Sequence, residues 1–265
     1  MNIKQVFCKS ALSSSTLPGL TYSLNPYRGC QHQCAYCYAP HVLRMNKEQW
    51  STTLEVKTNI PVVLAQELKT KKPGVVGIST VTDPYQPSER NTQVTRYCLE
   101  QLLKHDFPVS IQTKSSLVER DIDLVLKFSQ AQVMMSIATL RDEERKILEP
   151  YSSSIQERLK VLRTFSDAGV KTSVFFGPVY PTISLEEIPH ILDVFQEVGI
   201  RELWIDKLRL KPGIWESIQK NMISMQEMNR VFTRNVFENK DYYSMIREEI
   251  HKRGKEKNLR VIDAF

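Results

Sequence analysis

Cys30, Cys34 and Cys37 fall within eight residues in the order C-x3-C-x2-C, while Cys8 and Cys98 stand alone. An odd count with three cysteines packed together suits metal ligation in a reducing compartment better than a disulfide framework. Thiolates hold iron–sulfur clusters, and a four-iron cubane given three protein ligands keeps one iron open to a substrate or cofactor. Zinc accepts the same donor types, and His32 or His41 could complete a Cys3His site. A zinc knuckle, however, draws its ligands from two short pairs, and no second pair follows here. Cys98, with Tyr97, Leu99, Leu102 and Leu103 on an expected helix, reads as a small buried hydrophobe; Cys8 carries no signal.

The triplet needs a scaffold, and the chain alternates short β-branched runs with longer amphipathic stretches, the pattern of a parallel sheet with crossover helices. Strands are expected over 21–24, 75–80, 108–112, 132–137, 171–176 and 202–205. A long loop carrying the cysteines follows the first strand, and a helix opens near Pro61, whose ring suits a first turn. Further helices are expected over 91–105, 121–129, 155–168 and 185–198, the last two stopped by Gly169 and Gly199. Six β/α units are too few for a closed eight-stranded barrel. The reading is therefore α/β, an open partial (β/α)6 TIM-type barrel with its functional loops at the carboxyl ends of the strands. A doubly wound sheet is the other architecture, but no GxGxxG or GxxxxGK[ST] loop follows the first strand. Beyond 205 the pattern turns helical, over 214–223, 225–236 and 242–252, then ends in an apolar run at 259–262. The expected division is a barrel over 1–205, with the cluster loop at 25–40, and a mainly helical C-terminal extension over 206–265.

Charge is unevenly spread. Residues 1–60 hold 6 basic and 2 acidic side chains, 61–200 hold 16 and 18, and 201–265 hold 14 and 10, or +4, −2 and +4 of the total +6. Basic ends fit an anionic partner such as nucleic acid; a merely solvated surface is the plainer reading. No run of eighteen apolar residues and no signal-peptide-like start occur, so a cytoplasmic protein with no membrane partner is expected.

The phrase NPYRGCQHQCAYCYAP over 25–40, with an aromatic residue before the third cysteine, resembles the signature of the radical S-adenosylmethionine (SAM) superfamily. Within it the phrase is similar to the spore photoproduct lyase-like subgroup, as are TDPYQPSER over 82–90, TKSSLVERD over 113–121, SIATL over 136–140, LEP over 148–150, and Arg158-Leu159. The resemblance implies a [4Fe-4S] cluster on Cys30, Cys34 and Cys37, chelation of SAM by the open iron, and reductive cleavage to a 5′-deoxyadenosyl radical that takes hydrogen from a substrate. It also implies an external electron donor of flavodoxin or ferredoxin type, with nucleic acid as the leading substrate class. Its site residues would be Tyr36 toward adenine, Thr82 and Asp83 toward the methionine amino group, Lys114 toward the carboxylate, Ser136 toward carboxylate or ribose, Gly177 at a strand end, and Tyr38 in a hydrogen-transfer relay. No cysteine stands near Thr80, where the lyase's hydrogen-donating thiol would be expected, so the subgroup is implied without its founding reaction. The rival from another class is a non-catalytic nucleic-acid-binding protein with a structural or redox-sensing metal centre.

Overall fold

The computed structural model describes residues 1–264. Its strands are β1 (Asn2–Val6), β2 (Leu12–Ser14), β3 (Tyr22–Leu24), β4 (Tyr27–Arg28), β5 (Thr53–Lys57), β6 (Val76–Ile78), β7 (Val109–Thr113), β8 (Ala131–Ser136), β9 (Lys171–Phe176), β10 (Glu202–Ile205) and β11 (Arg260–Asp263). The main sheet runs β11-β10-β9-β8-β7-β6-β3-β2. All its pairings are parallel except β2 with β3. β2 and β11 remain as edges, so the barrel is open.

The six expected strands are β3 and β6 to β10, and burial explains why they were legible. Val76 to Ile78 is buried throughout, and β9 is buried at Thr172, Ser173, Val174 and Phe176, as strands covered on both faces must be. The helix Ile155–Asp167 turns Ile155, Val161, Leu162 and Phe165 inward. It opens on a Ser154/Glu157 capping box, in which each side chain takes the other's backbone N–H, and Gly169 follows it at φ +83°.

Several expectations are corrected. The long loop over 25–60 contains β4, β5 and the short helices Ala39–Val42 and Lys47–Thr52. β4 and β5 join β1 in a second sheet, ordered β1-β5-β4. Elements of two to six residues are too short to show a period. The helix expected over 91–105 begins earlier, at Glu89–Thr92, breaks at Gln93 (φ +50°) and resumes as Val94–Lys104. The one expected over 121–129 is a 3-10 turn, Ser116–Asp121, and a single α-turn, Ile122–Val125.

The apolar run at 259–262 is a strand: β11 pairs with β10 in register from Glu202↔Arg260 to Ile205↔Asp263. Residues 206–259 therefore form a crossover between two neighbouring strands, carrying the helices Ile214–Asn221, Gln226–Thr233 and Tyr242–Glu256. Phe265 lies outside the described residues. These helices are tied to the segment leaving β9, because Tyr242 donates its hydroxyl to the carbonyls of Tyr180 (2.9 Å) or Ile183 (2.8 Å) and Asn235 donates to that of Pro181 (2.7 Å). The helical layer is thus seated at the carboxyl ends of the strands. Among the described residues no helix is long and apolar enough to cross a membrane.

Candidate metal centre and cofactor site

The cysteine loop follows β4 and is gripped along its length. Gly29 enters it at φ +98°, and a Cβ there would meet the Thr53 carbonyl oxygen at 2.5 Å, so only glycine fits. The Cys37 N–H donates to the Cys34 carbonyl at 3.1 Å, closing the turn between them, and the Ala35 N–H donates to the Leu148 carbonyl at 2.8 Å. Cys30 is buried, and Cys34 and Cys37 are half-buried. Ala39, Leu43, Met45, Trp50 and Val81 form an apolar shell with Cys30 and Cys37. Burial pushes all three thiols up, Cys30 to about 12, with Asp83 and Cys37 adding to it while the His32 and Asp83 N–H groups pull the other way. In this setting a metal, not solvent, would make them thiolates.

The segment after β6 braces this loop. Thr82 donates its hydroxyl to the Gly29 carbonyl at 2.5 Å, the Gln31 N–H donates to Gln86 Oε1 at 2.9 Å, and the Ser88 N–H donates to Gln31 Oε1 at 2.7 Å. Asp83 is buried and accepts from the Tyr85 N–H (2.9 Å), the Thr113 hydroxyl (2.7 Å) and the Lys114 N–H (2.8 Å). His32 Nδ1 lies 3.3 Å from its Oδ2. Burial would raise the Asp83 carboxyl, but these partners outweigh it and hold it at about 2. The two flanking motifs are joined beneath by Arg120, which pairs with Glu89 and Asp121 at 2.8 Å each.

Beside Cys34 lies a buried charged group that sequence reasoning missed. Glu149, 1% exposed, accepts the Tyr36 hydroxyl on one oxygen; on the other it accepts Arg158 Nη2 at 2.5 Å and the Ser152 hydroxyl at 3.2 Å. Arg158, fully buried, also donates to the carbonyls of Ser136 (2.7 Å) and Ser153 (2.9 Å). Lys114 Nζ stands 5.9 Å from the centre of the Tyr36 ring. Burial lowers the Lys114 pKa, but Glu149 and Cys34 more than offset that, and the net shift is upward. The one available signal was Glu149 and Arg158 recurring in resembling stretches, with nothing in the sequence to show they meet.

The remaining candidates ring the same mouth. Ser136, buried at the end of β8, accepts from Gln112 Nε2 at 3.3 Å. Gly177, just past β9, is crowded: a Cβ would run into the Phe175 ring and meet Asp206 Cβ at 3.0 Å, so the ring would have to shift. Tyr38 is 48% exposed, and burial, Cys37 and then Asp206 push its phenol up. Ser79, the residue after β6, holds φ +61°, and its buried hydroxyl has no hydrogen-bond partner among the described residues. The zinc alternative finds no fourth ligand here: His32 faces Asp83, His41 is exposed, and among the described residues no three His, Cys, Asp or Glu side chains are close enough to hold one ion. Three cysteine thiols against an apolar floor, one buried and two half-buried, with the Lys114 ammonium close enough to act on Cys34 and Cys37, fit a cluster in their donor chemistry.

Comparison with known proteins agrees. The sequence model of the radical SAM superfamily matches residues 24–195. An uncharacterised protein of Methanocaldococcus jannaschii is 33% identical over 201 residues, 75% of this chain and 73% of that protein. One from Mycobacterium tuberculosis is 32% identical over 222 residues, 78% of this chain and 65% of that protein. Among solved structures, spore photoproduct lyase complexed with dinucleoside spore photoproduct superposes with a TM-score of 0.73 at 14% identity, covering 99% of this chain and 82% of that one. Streptococcus suis SuiB bound to S-adenosylmethionine gives 0.54 at 16% identity, covering 82% and 48%. The fold is thus the open radical SAM barrel, and with a match across residues 24–195 that includes all three clustered cysteines, this chain belongs to the radical SAM superfamily, enzymes that work with a [4Fe-4S] cluster and SAM.

Proposed function

We propose that the protein cleaves SAM at a [4Fe-4S] cluster held by Cys30, Cys34 and Cys37 and abstracts hydrogen from a nucleic-acid substrate. The observation that carries this is the meeting of three clustered thiols, Cys30 buried and Cys34 and Cys37 half-buried, with Lys114 at the carboxyl ends of the strands. When bound, the cluster supplies the electron that breaks the sulfonium bond, renewed by a flavodoxin- or ferredoxin-type donor in a reducing cytoplasm.

The chain's own residues then have separate tasks. Lys114 offers its ammonium to the methionine carboxylate, a charge-assisted contact. Tyr36 presents its backbone toward adenine, and Ser136 and Gly177 shape the ribose side of the mouth. Thr82 and Asp83 serve the amino-group side chiefly through the loop they hold, since the hydroxyl of one and both oxygens of the other already have protein partners. Tyr38, exposed at the rim, is the catalytic candidate, its phenolic hydrogen available to a substrate radical.

Nucleic acid is favoured by Lys207, Arg209 and Lys211, exposed on the loop leaving β10, and by the dinucleoside held by spore photoproduct lyase, whose fold this chain shares. Thymine-dimer repair itself is not proposed, because no cysteine stands near Thr80. The test is anaerobic reconstitution, dithionite reduction and assay for 5′-deoxyadenosine and methionine, with deuterated oligonucleotide, peptide or metabolite pools added. Deuterium in 5′-deoxyadenosine from the oligonucleotide is expected. Cluster-loaded protein forming neither product would overturn the reaction; label arriving only from peptide or metabolite would overturn the substrate class.

A further inference from the structure

The buried group around Glu149 has more order than packing requires. Leu148 and Glu149 grip Ala35 and Tyr36, the two residues between Cys34 and Cys37, at two points: by the Leu148 carbonyl on the Ala35 N–H at 2.8 Å, and by the Glu149 carboxylate on the Tyr36 hydroxyl. A carboxylate at 1% exposure needs a cation, and two are near. Arg158 takes the second oxygen directly at 2.5 Å and is itself fixed by the Ser136 and Ser153 carbonyls. Lys114 feels the same carboxylate without bonding to it; no ion pair forms between them, and its ammonium lies over the face of the Tyr36 ring.

We infer that Glu149 and Arg158 are a positioning pair for the cofactor: Glu149 draws Lys114 inward and fixes Tyr36, while Arg158 keeps Glu149 occupied and so leaves the Lys114 ammonium for an anionic group of SAM. This rests on the reading of the site given above. The local charge is one anion between two cations, a net of one positive charge facing the bound ligand. Neutralising Glu149 would leave Arg158 unopposed, and its charge would then drive the Lys114 ammonium out of the site. Neither residue touches the reacting atoms; both act through Lys114 and Tyr36.

The test is a double-mutant cycle on cluster-loaded protein, measuring SAM affinity by titration of the reduced cluster's electron paramagnetic resonance signal, with iron per chain and thermal stability alongside. Glu149→Gln and Lys114→Ala should each weaken SAM binding about tenfold, the size of one charge-assisted contact, and the double variant should be no weaker than Lys114→Ala. A purely structural role would lower stability or iron content with no dependence on Lys114; affinity losses that multiply, or a Glu149→Gln protein that binds SAM as wild type does, would overturn the inference. Tyr36→Phe, which removes only the hydroxyl, guards against a Glu149 variant that does not fold. It should keep its iron yet change the signal of the SAM-bound cluster, and an unchanged signal would overturn the Tyr36 arm. Wild-type protein run in parallel separates the two levels: no SAM response there would bring down the reaction and this inference together, whereas a normal wild-type response with insensitive variants would bring down the inference alone.

Discussion

The carboxylate of Asp83 accepts the backbone N–H of Lys114 at 2.8 Å, so the segment after β6 is held to the end of β7 where both meet the cysteine loop. With the Tyr85 N–H and the Thr113 hydroxyl also donating to it, the group is a junction, and removing it leaves two buried donors and one part-buried donor without an acceptor. Asp83→Ala should destabilise the cluster-free protein by about 3 kcal/mol, measured by urea unfolding, and Thr113→Val by about 1 kcal/mol. A smaller loss for Asp83→Ala than for Thr113→Val would contradict the junction.

The two kinds of cysteine should separate cleanly. Cys34→Ala removes a proposed ligand and should abolish iron retention and SAM cleavage together. Cys98 is fully buried in the main core and is not one of the clustered three; Cys98→Ala should cost about 1–2 kcal/mol of stability and leave iron content and cleavage unaltered. Iron analysis and product assay on both variants decide the matter.

Gly29 offers a test of the loop's backbone. At φ +98° and with the Thr53 carbonyl 2.5 Å from any Cβ, Gly29→Ala would have to move either the loop or β5. The expected loss is about 2 kcal/mol of stability, and iron uptake on reconstitution should fall more steeply than stability, because the displacement lies next to Cys30. Gly19, with φ +76° and open space around it, is the control: Gly19→Ala should leave iron uptake intact.

Asp142 should give a pH signature. It accepts Arg145 Nε at 3.0 Å and Nη2 at 2.8 Å as well as the Ile155 N–H at 3.0 Å, and these hold its carboxyl at about 2, below its ordinary 3.8. A carboxyl lower in the folded than in the unfolded chain stabilises the fold above its unfolded value, and the benefit disappears as pH falls through the folded one. The wild-type advantage over Asp142→Asn should therefore be complete at pH 5 and shrink between about pH 4 and pH 2, followed by thermal melts of cluster-free protein. An advantage constant over that range would rule the mechanism out.

How much was legible follows from what each residue does. Strands such as Val76–Ile78 and helix stops such as Gly169 announce themselves, because burial on both faces and a left-handed turn each demand particular residue types. The cysteine triplet was legible for the same reason. Glu149 and Arg158 were not, since a charged residue in a sequence reads by default as solvated, and only the turn between the helices Asp142–Leu148 and Ile155–Asp167 brings these two together under Tyr36. Thr82 follows β6, and its hydroxyl is engaged with Gly29, a contact 53 residues away that spacing could not show.

The pairing of β10 with β11 makes residues 206–259 an arch sprung from two adjacent footings of one sheet. Its helices are anchored at both ends, and in the middle by Tyr242 and Asn235 on the segment leaving β9. The helical span over the strand ends can consequently diverge between relatives without loosening the barrel beneath, and a span taken from one relative is best exchanged whole, cut at the two strands.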